Sequence, residues 1–229
     1  MKKRGSLILV VILVSVGLLA ACGGNSGTSG TSGTTGASGV PDISATTSTQ
    51  ALSQTTTEEN SAARETVKQE SPIAEQPVLL TAVGQSADIE MVKVMLQKGG
   101  IEFSTKSLAG PEDLDGIKTL IVTVGGSSKG LGAAGIDANQ ELARAQELLD
   151  AATSQGITVI ALHIGGTARR GDLSDTFITP SFQAADYALV VAEGDKDGLM
   201  SGMAHEKGIP IDVVPSIGDV LETLKAVFV

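Results

Sequence analysis

Residues 124–136, Val-Gly-Gly-Ser-Ser-Lys-Gly-Leu-Gly-Ala-Ala-Gly-Ile, carry two overlapping chemical patterns. Gly126-Ser127-Ser128-Lys129-Gly130 has the spacing of a nucleophile elbow, in which a sharp strand-to-helix turn presents a serine hydroxyl for attack. Gly130-Leu131-Gly132-Ala133-Ala134-Gly135 has the spacing of a dinucleotide loop, in which glycines let the backbone approach a pyrophosphate. The first pattern needs an acid and then a histidine further along, and Asp175 and His205 supply that order after Ser128. Leu131–Ile136 nevertheless separate the serine from the helix cap expected at Asp137, and His205 falls near the far end of a helix. The second pattern needs its first glycine directly behind a strand and an acid ending the next strand. Gly130 stands well downstream of the apolar run 118–124, and the next run ends in His163-Ile164. Neither motif is therefore expected to work as its family uses it. The stretch reads instead as a donor-rich loop offering Gly125, Gly126, Ser127, Ser128 and Lys129 to a ligand.

Other residues could join that loop. Lys129, Arg169 and Arg170 stand out because the chain is acidic, with 16 Lys+Arg against 26 Asp+Glu and a formal net charge of -10. Such a balance argues against nucleic acid as a partner. Cations gathered at one place on an acidic domain would favour a small anionic solute. Glu193-Gly194-Asp195-Lys196-Asp197-Gly198 resembles the first half of a calcium loop, yet Ala204 stands where the bidentate Glu is wanted, so no metal is expected. With no Trp and one Tyr, sugar recognition by stacking is also disfavoured.

The surrounding pattern must position these side chains. Short apolar runs 77–83, 101–106, 118–124, 157–164, 187–192 and 209–214 alternate with amphipathic stretches, the clearest being 137–156, opened by Asp137 and Gln140 as a capping box and closed by Gly156. Strands buried on both faces between such helices predict a three-layer α/β domain, a Rossmann-like or flavodoxin-like doubly wound parallel sheet of five or six strands in the order 2-1-3-4-5. Ligands of open α/β sheets sit beyond the carboxyl ends of the strands, near the point where strand order reverses. The loops there are 84–88, 125–135, 165–175 and 193–198, which bring Ser86, Gly125, Gly126, Ser127, Ser128, Lys129, Gly165, Gly166, Arg169 and Arg170 into the candidate crevice.

The first 22 residues set an address. Lys2, Lys3 and Arg4 precede a short apolar run ending in Leu19-Ala20-Ala21-Cys22, which resembles the lipobox of bacterial lipoproteins. Cys22 is the chain's sole cysteine, so internal disulfides and cysteine-based zinc sites are excluded, and acylation at Cys22 would hold the protein to the membrane on its extracytoplasmic side. No nicotinamide or other cofactor is expected there. Residues 23–76 form a Gly/Ser/Thr-rich and then polar stretch too poor in apolar side chains to fold, a tether with a root-mean-square reach on the order of 40 Å. The α/β domain is expected over 77–229.

Over 77–229, and above all in the segments 84–88, 118–136, 164–175 and 193–198, the chain resembles a bacterial extracytoplasmic family, domain of unknown function 6305. The resemblance implies an exported α/β domain and supplies no reaction. The sequence thus points to a lipid-anchored domain that binds a small anionic solute at the carboxyl edge of its sheet. A serine hydrolase using Ser128 and a non-catalytic interaction scaffold are the alternatives.

Overall fold

The computed structural model describes residues 71–228; Cys22, the leader and the tether as far as residue 70 lie outside the described residues. Six parallel strands form one sheet: β1 (Val78–Val83), β2 (Phe103–Thr105), β3 (Thr119–Val124), β4 (Thr158–His163), β5 (Tyr187–Val191) and β6 (Ile211–Val214). Their order is β2-β1-β3-β4-β5-β6, the expected order extended by an edge strand. Every residue of β1, β3 and β5 is buried, which is why these runs are largely apolar, with buried threonines in β1 and β3, rather than alternating.

The alternation appears instead in what each side chain meets. Leu79, Leu120, Val122, Val159, Ala161, Ala188 and Val190 face one core, completed by α3 (Ala138–Ser154), α4 (Asp172–Ala184) and α5 (Leu199–Lys207). Leu80, Ile121, Ile160, Leu162, Tyr187 and Leu189 face a second core, completed by α1 (Asp88–Gly99) and α6 (Val220–Val227). The result is the doubly wound three-layer fold that the sequence predicts. The chain is already docked at Ile73 and Ala74, whose amides donate to the Val227 carbonyl, a few residues before the composition changes at Pro77.

Helix α3 has the predicted cap. Asp137 accepts from the Gln140 amide at 2.8 Å while the Gln140 side chain accepts from the Asp137 amide at 2.9 Å, and Gly156 follows in the left-handed region at φ 68. Two other segments differ from expectation. Residues 125–135 are not a structureless loop, because α2 (Ser128–Ala134) occupies most of it; Ser127 caps that helix by accepting from the Gly130 amide at 3.0 Å, and Gly135 ends it at φ 72. Capping at both ends holds a helix whose composition alone disfavours one. The segment 165–175 is likewise shorter than a loop of that length, since α4 begins at Asp172 and continues through Pro180.

Candidate functional site

The strand order reverses between β1 and β3, so the loops behind these two strands flank the switch point. The β1 loop holds two consecutive residues at positive φ. Gly84 has φ 93, and Gln85, at φ 59, is the only described non-glycine residue in the left-handed region. This conformation costs energy in a residue with a Cβ and persists only where neighbours enforce it.

A buried acid in α3 does so. Glu141 Oε1 accepts from the Gly84 amide and from Gln85 Nε2, each at 2.9 Å, and Arg144 neutralises that carboxylate through Nε and Nη2 at 2.8 Å. Arg144 also donates to the Ala109 carbonyl at 2.6 Å and the Ala82 carbonyl at 2.8 Å, so the network ties α3 to the end of β1 and to the segment behind β2. Sequence reasoning missed Glu141 and Arg144. Their i, i+3 spacing is that of an ordinary solvated helix face, and only their burial distinguishes them.

The turn so held presents Ser86 and Asp88. Ser86 is buried, and its Oγ accepts from the Asp88 amide at 3.2 Å. Asp88 opens α1 and is 4% exposed. Its Oδ1 accepts from Arg169 Nε at 3.2 Å; Oδ2 lies at the same 3.2 Å from that nitrogen but makes no hydrogen bond. The stem of Arg169 lies over Gly165, where any Cβ would collide with it, and an ideal Cβ on Gly165 or Gly125 would stand 3.3 or 3.8 Å from Asp88 Oδ2. Gly125 and Gly165 therefore flank the unsatisfied oxygen, and the Arg169 stem fills the Gly165 side, so that oxygen stays enclosed while Arg169 keeps its place.

The expected residues divide into groups. Ser86, Gly125, Gly165 and Arg169 converge on Asp88, which the sequence did not single out; the signal available was an acid in the first turn of a helix behind a strand. Ser127 and Lys129 line, with Gln85 and Ser86, an adjoining cleft of about 480 Å³, and the Lys129 side chain pairs with no acid among the described residues. Ser128 is exposed on the first turn of α2. Gly166 packs toward the Glu193 carboxylate and Gly126 toward Leu173.

Two expectations about this crevice change. The amides meant to cradle an anion are engaged internally: Gly125 donates to Val83, Ser127 to Gly84, Gly126 to Ser174 Oγ, and Gly130 to Ser127 Oγ. Arg170 is not a free cation either. It donates to both oxygens of Asp175 and of Asp197 and to the Gly194 carbonyl, an arrangement that raises its own pKa and holds the Asp197 carboxyl down at about 2. Because the clamp spans three segments, Arg170 closes the loops behind β4 and β5 on each other.

The remaining motifs resolve as structure. Asp195 accepts from the Met200 and Ser201 amides at 2.7 and 3.0 Å, capping α5, and no group of His, Cys, Asp and Glu fit to hold a metal occurs among the described residues. His205 lies in the last turn of α5, at the amino-terminal edge of the sheet, where neighbouring Lys207 donates to the Ala185 carbonyl. It is thus across the sheet from Ser128, while Asp175 is held by Arg170. His163, the other histidine, is fully buried; Nδ1 donates to the Val124 carbonyl at 3.0 Å, leaving Nε2 of the neutral ring unprotonated and without a partner among the described residues. Two further hollows, a polar cleft of about 620 Å³ near Asp186 and an apolar groove of about 430 Å³ between α1 and α6, receive none of the expected residues.

The family described as domain of unknown function (DUF6305) matches residues 75–228. The chain belongs to that family. Among solved structures, the DUF6305 domain is similar to a GDSL-like lipase from Bacteroides thetaiotaomicron, at 10% identity and a TM-score of 0.29, covering 58% of this chain and 65% of that one. It is similar also to AlinE4, an esterase of the SGNH-hydrolase family, at 12% identity and a TM-score of 0.28, covering 65% of this chain and 80% of that one. The chain thus spans less than two thirds of the lipase. No curated protein matches it. Among the described residues no helix is long and apolar enough to cross a membrane.

Proposed function

We propose that this protein is a lipid-anchored, extracytoplasmic binding domain that takes a small solute bearing an anionic group at the carboxyl edge of its sheet. Lipidation at Cys22 and the tether behind it supply the address. The observation that carries the binding role is the Asp88–Arg169 pair at the switch point, half-open on its Arg169 side and closed on its Asp88 side, beside a cleft lined by Lys129, which pairs with no acid among the described residues. Arg169 and Lys129 are the cations left to meet a ligand, since Arg170 is spent on Asp175 and Asp197. The serine-hydrolase alternative lacks an assembled Ser128–Asp175–His205 set, and so ranks below binding.

Calorimetric titration of the full-length protein with phosphate, short carboxylates and amino acids tests the reading. A charge-assisted hydrogen bond contributes roughly 1.5–3 kcal/mol, so Arg169→Ala should weaken binding about ten- to hundredfold. Lys129→Ala should change it only a few-fold, and Arg170→Ala should lower the unfolding midpoint more than the affinity. Equal binding by wild type and Arg169→Ala would remove the crevice from consideration; no binding by any probe would leave a scaffold.

A further inference from the structure

Resting on the binding role just proposed, we infer that the crevice selects a small zwitterion, an α-amino acid, over a simple anion. The argument starts from what happens to Asp88 when Arg169 turns to a ligand. Asp88 is buried, and Arg169 is the cation that faces it; Lys129 lines the neighbouring cleft and Arg170 is clamped elsewhere. A bare anion drawing the guanidinium outward would leave a buried carboxylate with no compensating charge, which is strongly unfavourable. A ligand that brings its own ammonium group restores the balance.

The donors and acceptors match that exchange. Arg169 uses Nε for Asp88, while Nη1 and Nη2 make no hydrogen bond among the described residues and the side chain is 38% exposed, so its outer edge can hold a carboxylate by two parallel bonds. Asp88 Oδ2 has no hydrogen-bond donor among the described residues and lies near the backbones of Gly125 and Gly165, with the Arg169 stem covering Gly165. When the guanidinium swings outward its stem uncovers Gly165, and the ligand's ammonium takes that place as the missing donor. Because Nε stands only 3.2 Å from the carboxylate, the two charges of the ligand must themselves be close, as on one α-carbon, rather than at opposite ends of a chain. The internal ion pair is thereby replaced by two ligand pairs with no net charge buried.

Titrations of the full-length protein with L-alanine and L-serine, set beside propionate, ethylamine and inorganic phosphate, test the inference. Wild type should bind an amino acid at least about tenfold more tightly than propionate or ethylamine. Asp88→Asn keeps the oxygen that meets Arg169 but removes the charge. It should reverse the order, weakening alanine and strengthening propionate, a crossover that mere loss of structure does not produce; unfolding midpoints measured in parallel confirm folding. Propionate bound as tightly as alanine by wild type, or no crossover in Asp88→Asn, overturns the zwitterion while leaving the crevice standing. Silence with both amino acids overturns it as well, and if propionate and phosphate are silent too, the binding role falls with it.

Discussion

His163 illustrates how one side chain can be legible and yet misread. Its position at the end of an apolar run serves, in sequence, only to exclude a dinucleotide site; in the fold it is a fully buried imidazole with Nε2 packed toward Gly194. Burial lowers its pKa from 6.5, opposed by the Val124 carbonyl that accepts from Nδ1 and reinforced by nearby Arg170. The unfolded chain therefore binds the proton more readily than the folded one. The stability contributed by the neutral ring is full above pH 6.5, is lost as pH falls below that value toward the lowered folded pKa, and changes no further once both states are protonated. Unfolding midpoints taken from about pH 7.5 to about pH 5.5 should fall in wild type and stay nearly level in His163→Asn, which retains an amide donor for Val124. Parallel curves for the two proteins would mean that other groups govern this window. The Asp197 carboxyl, at about 2, titrates well below it.

Elements that were easy to foresee carried local signals. Helix α3 has its capping box and terminal glycine in the sequence itself, and β1, β3, β4 and β5 are mainly apolar runs, with threonines and a terminal histidine among them, between turn residues. Helix α2 carries the opposite signal, five glycines in the eleven residues 125–135, and forms because Ser127 and Gly135 cap it and because Gly130 lets it approach the Gln85 backbone where a Cβ could not fit. Helix α4 was hidden by Pro180 and by the polar start that it shares with the loop. The site's supporting element was hidden more completely, since nothing local distinguishes Glu141 from other helical acids. Its role predicts a strong effect. Replacing Glu141 by Gln keeps one oxygen for Gly84 and Gln85 but sets an amide NH2 against the Arg144 Nε donor and removes the charge opposite Arg144, so stability should drop by about 3 kcal/mol, the scale of a broken buried pair. Chemical denaturation gives that number directly. A change within about 0.5 kcal/mol, the range of surface substitutions, would mean that the strained β1 turn does not depend on this network.

At the scale of the molecule, topology was the most readable feature and ligand chemistry the least. Alternating buried strands and amphipathic helices dictate a doubly wound parallel sheet, and that sheet dictates where its loops converge; hence Ser86, Gly125, Gly165 and Arg169 could be gathered from segments far apart in sequence. What sequence could not convey is pairing. Three cations on an acidic chain read as a basic site, whereas the fold ties Arg170 to Asp175 and Asp197 and sets Arg169 against Asp88, leaving a crevice of nearly balanced charge. The central claim is that small-solute binding occurs at the β1–β3–β4 tips and nowhere else on this domain. Amide hydrogen exchange of the full-length protein, with and without saturating L-alanine or phosphate, tests it most directly. The account predicts slowed exchange confined to residues 84–90, 125–131 and 164–171. Protection centred instead on the opposite edge, around Asp150, Asp186 and Lys207, would contradict it.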